Sequence, residues 1–423
     1  MATRRTATAS TAAAAVAASA SLRSTEINEI IEVAVSAPMD GYPGQPGCKW
    51  GLPLLIEGDS GIAKTARIKS VADSLQTTLA TIYAAPHPPE DFASALIPDG
   101  KGDANQIMPL PQIRKMVRES SKAGILFFDE INGAMPATQG ALMSLIHERH
   151  TGDVDIPPRV RILAAMNPEE IAACGFRLSP PLANRFIHVL DPGPDAREWT
   201  TWLMGSATTK LQGSLDAIEK VIIEEWPNKY PETQSVFAGF IESNPSLLHK
   251  RPPISDPQSG KAWPSHRTWD FATRGWTAAI IIEKSDAIRD AMVEASVGSG
   301  AAEELIRYFR EADIPKPMEV LKGKWKINRN RLDIVLAAFT GAVAYVRQRP
   351  SREEKEELAP LAWEALVKLL EAELSDIAIP AVEGLIKERL GHNSGNKGIK
   401  TAANKVLVPL SQSGLSKYLD ERV

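Results

Sequence analysis

An apolar run, Leu52–Ile56, leads through Glu57 into Gly58-Asp-Ser-Gly-Ile-Ala-Lys-Thr65, after which helical spacing continues to about Leu75. Strand, glycine-rich turn and helix in that order tie this stretch to a layered α/β fold. Such a turn aims backbone N–H groups at an anion, here the N–H groups of Gly58, Asp59, Ser60, Gly61, Ile62, Ala63, Lys64, Thr65 and Ala66. Lys64 is placed to reach the β and γ phosphates of a nucleoside triphosphate, and Thr65 to ligate Mg²⁺. Ala63 stands where the pattern usually has a second glycine, so a second acidic site carries weight. A further apolar run, Ile125–Phe128, ends in Asp129-Glu130. Asp129 is placed to hold hydrated Mg²⁺ and Glu130 to polarise an attacking water, which together predict ATP binding and hydrolysis.

Three more short apolar strands are expected: Leu79–Tyr83, Val160–Met166 with Asn167 at its carboxyl end, and Ile187–Leu190 before Asp191-Pro-Gly-Pro194. Helices are expected between them near Gln112–Ser121 and over Thr138–His150, where Leu142, Leu145 and Ile146 face the core and Arg149 shares the helical spacing. Five strands joined by helices give a parallel sheet covered on both faces, and ligands bind beyond the carboxyl ends of such strands. Gly58–Thr65, Asp129, Glu130 and Asn167 all fall at those ends.

Ser24 or Thr25 can cap a preceding helix carrying Ile27, Ile30, Ile31 and Val35. Residues 1–23 open with Arg4 and Arg5 before an Ala/Ser/Thr-rich stretch that lacks the leucine-rich core of a leader, so they are expected to form a loose tail. The α/β core is expected over 24–195, connecting helices over 196–262, a helical lid over 263–350 and a helical extension over 351–423. Within the second half, Ser214–Trp226 and Gln234–Asn244 read as separate helices. Arg352–Glu373 presents Leu358, Leu361, Leu366, Leu369 and Leu370 on one face, which suits a surface helix or a partner contact, and Gly391–Lys405 reads as a mobile loop.

At 423 residues and 43% hydrophobic content the chain has enough apolar material for two or three packed units. Its net charge of −4 lacks the overall basic excess of a non-specific nucleic-acid binder. Cys48 and Cys174 are isolated, which points to a reducing compartment, the cytoplasm, and away from zinc. No run is long enough for a membrane span.

Taken together, GDSGIAKT (58–65), ILFFDEIN with GAMPATQGALMSLIHE (125–148), AAMNP (164–168), LSPPLANRF (178–186) and WPSHRTW (263–269) resemble the AAA+ ATPases, and within them the MoxR branch. The resemblance runs in order over about Ser24 to Arg349. It implies a P-loop AAA+ core with a helical lid, ATP and Mg²⁺ as ligands, and a homo-oligomeric ring, usually of six subunits. It also implies a protein client or adaptor, often carrying a von Willebrand factor A domain. Asn167 looks like the sensor that orients water with Glu130. Arg185 looks like the arginine finger reaching a neighbouring subunit's γ-phosphate, and Arg267 like the lid arginine sensing that phosphate from within the subunit.

Several readings stay open on the residues alone. Asn167 before Pro168 is also a turn former, Arg177 competes with Arg185, and Arg267 has His266 and Arg274 as neighbours. The Pro/Gly-rich insertion Ala84–Ile113, with Phe92, Leu96, Ile107 and Met108, suits a surface loop or a substrate contact. A nucleic-acid-linked motor is the alternative function. The insertion leans away from it, because Lys101, Arg114 and Lys115 are set against Glu90, Asp91, Asp99 and Asp103.

Overall fold

The five apolar runs lie side by side as one parallel sheet in the computed structural model, which describes residues 23–92, 97–98, 104–105, 110–119, 122–151, 154–170, 175–205, 211, 213–312 and 314–412. Residues 1–22 of the expected tail, Leu96, Ile107, Met108, Lys101 and Cys174 lie outside the described residues. The sheet strands are β1 (Leu54–Gly58), β2 (Thr78–Tyr83), β3 (Gly124–Asp129), β4 (Val160–Met166) and β5 (Ile187–Asp191), in the order β5-β1-β4-β3-β2. Every residue of β3 and β4 is buried, as central strands covered on both faces require, while the edge strand β2 alternates. Asp191 pairs with Gly58, Met166 with Glu57, and Tyr83 with Asp129, so the carboxyl ends line one edge.

Helices α1 (Ser24–Ser36), α2 (Lys64–Ser74), α3 (Pro111–Arg118) and α4 (Pro136–Met143) accompany the sheet. The N-cap of α1 is Arg23 rather than Ser24 or Thr25: Glu26 accepts the Arg23 N–H at 2.6 Å, which satisfies a donor at the helix start. Leu55, Ile82, Leu126, Phe128 and Ile162 form one core face with Ile113 and Met116 of α3 and Leu142 of α4. The expected helix over 138–150 is interrupted, because Ser144–Glu148 is a π turn and Arg149 takes a left-handed conformation with φ 61°. The guanidinium of Arg149 explains the change. It is buried, and it donates to the carbonyls of Val160 and Trp50, the latter at 3.0 Å, a reach that an unbroken α-helix does not provide.

The short α5 (Pro180–Ala183) precedes β5, and past the sheet the chain runs through α6 (Ala196–Leu203), α7 (Leu215–Ser243), α8 (His266–Ile281), α9 (Asp286–Val297) and α10 (Ser299–Glu311). α7 joins the two helices expected over 214–226 and 234–244, passing through Pro227 and Pro231. The packing of Trp226, Tyr230, Phe237 and Phe240, all buried, outweighs the donors those prolines lack. The chain forms two compact units, one comprising residues up to Glu224 with Leu247–Glu303, the other Glu225–Ser246 with Glu304–Val423. This division cuts across the segments 196–262 and 263–350 drawn from the sequence. α8 and α9 belong with the sheet because Gly275 brings Leu52 and Met292 into close packing, and Lys284 meets the buried Glu32 at 2.6 Å.

The second unit is built from α11 (Pro317–Leu321), α12 (Leu332–Arg347), α13 (Arg352–Glu371), α14 (Ser375–Lys387) and α15 (Lys397–Gln412) with the later part of α7. The leucine face of α13 is covered within this unit: Leu366 and Leu369 are buried, and Leu358, Leu361 and Leu370 pack against the same core. The loop expected over 391–405 is in large part α15, whose Ile399, Ala402, Ala403 and Val406 present a buried helical stripe. No helix among the described residues is long and apolar enough to cross a membrane.

One side chain of the sheet gives stability a pH dependence. His188 of β5 donates Nε2–H to the Ala183 carbonyl at 2.8 Å, its Nδ1 is buried without a partner, and burial first, then the charge of Lys261, pull its pKa down from 6.5 to about 4. Between those values the unfolded chain takes up the proton and the folded chain does not, so stability falls as pH drops through the window. The expected loss from this group is about 2 kcal/mol by pH 5. Urea midpoints measured from pH 7 to pH 5 should decline more steeply for the parent than for His188→Gln, and equal slopes would contradict the assignment.

Candidate functional site

The turn between β1 and α2 is held shut from inside. A Cβ at Gly58 would sit 2.6 Å from Ile62 and 2.8 Å from the Asp191 carbonyl, so only glycine lets the turn fold back against the end of β5. Ala63, the departure noted in the sequence, adopts the left-handed conformation with φ 68°, which a glycine would accept more readily; the strain costs on the order of 1 kcal/mol. It marks a turn whose shape the surroundings impose.

Lys64, the first residue of α2, curls over this turn. Its Nζ donates to the carbonyls of Gly58 at 2.7 Å and Asp59 at 2.8 Å, and to Oδ1 of Asn167 at 2.8 Å. Burial lowers its pKa, and the carboxylates of Asp129, Asp191, Asp59 and Glu130 pull in the opposite direction. Asn167 thus joins the Lys64 cluster directly. Its position is itself fixed, because the buried Asn132 donates to the Asn167 carbonyl at 2.8 Å and accepts the Phe176 N–H at 2.7 Å.

Thr65 Oγ1 donates to Asp129 Oδ2 at 2.5 Å, and Asp129 Oδ1 accepts the Glu130 N–H at 3.0 Å. The two candidate cation ligands therefore meet beyond the end of β4, the strand that lies between β1 and β3. Among the described residues no cluster of three or more His, Cys, Asp or Glu side chains could hold a metal alone. A hard cation here would take Thr65 and Asp129 as its protein ligands and draw the rest from phosphate and water, a donor set that fits Mg²⁺. Glu130 is exposed at the end of β3 and left-handed, with φ 53°, so its carboxylate is free of the strand ladder.

Arg67 and Asp191 belong to the same edge and had no role in the sequence reading. Arg67 pairs with the fully buried Asp191 at 2.9 Å and donates to Asn28 at 3.0 Å, which ties α2 to β5 and α1. Asp191 also accepts the Gly193 N–H at 2.9 Å. Asn132 and this pair sit inside or beside quoted motifs, but nothing in their spacing marks them as partners.

The candidate arginines group elsewhere. Ser265 caps α8 and donates to Asn184 at 3.0 Å, while Asn184 donates to the Trp263 carbonyl at 3.5 Å, so the motifs 178–186 and 263–269 are joined side by side. This places Arg267, 3.5 Å from His147 Nε2, in the field of Arg185. Burial lowers the pKa of Arg267, and the charge of Arg185 lowers it further. Arg185 donates to the Pro181 carbonyl at 2.8 Å, its Nε is buried without a partner, and Glu148 supplies the opposing field. Arg177 instead pairs with Glu169 at 2.9 Å on the surface, and Arg274 with Asp270 at 2.8 Å. Arg267 is thus a neighbour of Arg185 and His147 and not among the hydrogen-bond partners of Lys64, Thr65 or Asp129.

Residues 53–186, about a third of the chain, match the family model described as AAA domain (dynein-related subfamily). The match covers β1 to α5, ending just before β5, and supports an AAA-type ATPase module in general. No curated protein matches the chain. Among solved structures, the chain is similar to a "putative ATPase" from Cytophaga hutchinsonii ATCC 33406, with 16% identity over 69% of this chain and 89% of that one, and a TM-score of 0.43.

Proposed function

We propose that the chain is a Mg²⁺-dependent ATPase of the MoxR branch of the AAA+ proteins, working as a homo-oligomeric ring, usually of six subunits in that branch, that remodels or activates a protein client. The observation that carries this reading is the pairing of Lys64 with Asn167 and of Thr65 with Asp129, which gathers the carboxyl ends of β1, β4 and β3 around one turn. In the free turn the three Lys64 donors rest on carbonyls and on Asn167, and a γ-phosphate exchanges those partners for charged oxygens. Mg²⁺, when bound, draws charge from the phosphate oxygens. Glu130 takes a proton from the attacking water, and Asn167 holds that water in line.

Arg185 is assigned to the triphosphate of a neighbouring subunit, and Arg267, which the resemblance gives as a sensor of its own subunit's phosphate, is assigned with it because the two lie in one another's field. Two half-buried guanidinium groups with no carboxylate ion pair among the described residues repel one another, and an incoming phosphate relieves that repulsion. The client is proposed to be a protein, of the kind that carries a von Willebrand factor A domain.

Mixing experiments test the arrangement. Arg185→Ala and Arg267→Ala subunits added to the parent should each depress ATPase turnover by more than their mole fraction, because each disables a neighbour's site. A strictly proportional loss for either one would assign that residue to its own subunit's nucleotide. Client identity is tested by affinity capture on the ATP-loaded Glu130→Gln form.

A further inference from the structure

The chain is acidic as a whole, yet from Lys316, which precedes α11, to Arg331, which precedes α12, it carries Lys316, Lys322, Lys324, Lys326, Arg329 and Arg331 against Glu319 alone. The structure orders these charges. Trp325 and Ile327 pack against the core of the second unit, Trp325 meeting Phe339 edge-on at 6.3 Å between ring centres. Exposure alternates along the segment: Lys322, Lys324, Lys326 and Asn328 are exposed while Gly323, Trp325 and Ile327 are partly buried. The anchors point inward, so the lysines between them share the outer side of a fixed loop. Arg329 and Asn330 are exposed beside them.

Lys322, Lys324, Lys326 and Arg329 form no ion pair among the described residues. Arg331 pairs with Asp333 at 2.8 Å, and Lys368 donates to the Gly323 carbonyl at 3.1 Å, adding one more positive group at the loop's base. Unneutralised like charges held close on an anchored loop raise the local potential and attract a polyanion. No large hydrophobic side chain is exposed between Lys316 and Arg331, and the single exposed Leu332 that follows is too small an apolar centre for a protein interface. Lysine and arginine with flanking asparagine is instead the donor set that phosphate and sugar oxygens accept.

We infer that the loop Lys322–Arg331 docks the phosphodiester backbone of a nucleic acid, a function separate from the ATP site. Contacts of this kind read no sequence and depend steeply on salt. The excess is local, which is why net charge gave no sign of it.

The test is fluorescence anisotropy of the full chain with a labelled single-stranded DNA 30-mer, repeated from 50 to 300 mM KCl. The parent should bind. Lys324→Ala/Lys326→Ala/Arg329→Ala should bind at least ~10-fold more weakly, with the slope of log affinity against log salt reduced by about two. Lys324→Arg/Lys326→Arg should retain binding, and the triple variant should keep the parent's basal ATPase rate and unfolding midpoint. Lys64→Ala should bind the DNA as the parent does, so the inference stands or falls apart from the nucleotide reading. Absence of binding by the parent at 50 mM salt to both this DNA and an RNA 30-mer of the same sequence, measured in the same way, or equal affinities for parent and triple variant, overturns it. Tighter binding of polyglutamate than of DNA overturns it in favour of an acidic protein partner.

Discussion

Lys64→Ala is expected to abolish measurable ATP binding. The parent ammonium has all three donors engaged and is buried among acidic groups, an arrangement that holds a cation ready for a more highly charged acceptor. Removing a charge-assisted contact of this kind costs about 3 kcal/mol or more, at least a hundredfold in affinity. The alanine variant also leaves the Gly58 and Asp59 carbonyls and Asn167 without their shared donor, which loosens the turn and adds to the loss. Titration calorimetry with ATP and Mg²⁺ gives the answer, alongside a thermal melt to show that the variant is folded. A folded variant with the parent's affinity would remove the phosphate-loop assignment and every role built on it.

Glu130→Gln is expected to separate binding from turnover. The side chain is exposed and makes no contact that holds the turn; the bond that fixes this residue runs from its backbone N–H to Asp129. The amide keeps the shape and loses the base, so ATP affinity should stay within a few-fold while turnover falls by about a thousandfold. Single-turnover hydrolysis under saturating ATP measures the chemical step directly. Should parent and variant be equally slow, the chain is a nucleotide-gated scaffold and Glu130 has no catalytic part.

Local patterns located the candidate site residues where their positions are set by the end of a strand. Gly58–Thr65, Asp129, Glu130 and Asn167 follow from apolar runs that end at one edge of a parallel sheet. Asn132, Arg67 and Asp191 were not legible, since their partners lie 35, 124 and 124 positions away and no periodicity links them. The arginines illustrate the same limit. Their motifs were visible, but the Ser265–Asn184 bond that sets Arg267 next to Arg185 joins residues 81 positions apart.

The sequence by itself determined the parallel α/β layer and the glycine-rich turn between β1 and α2, because strand burial and glycine freedom act within a few residues. Tertiary packing decided the rest: that α7 runs through two prolines, that α8 and α9 join the sheet, and that residues 397–412 coil into a helix. Buried area is summed over partners distant in the chain, and such a sum outweighs the fraction of a kcal/mol to few kcal/mol by which local preference opposes it.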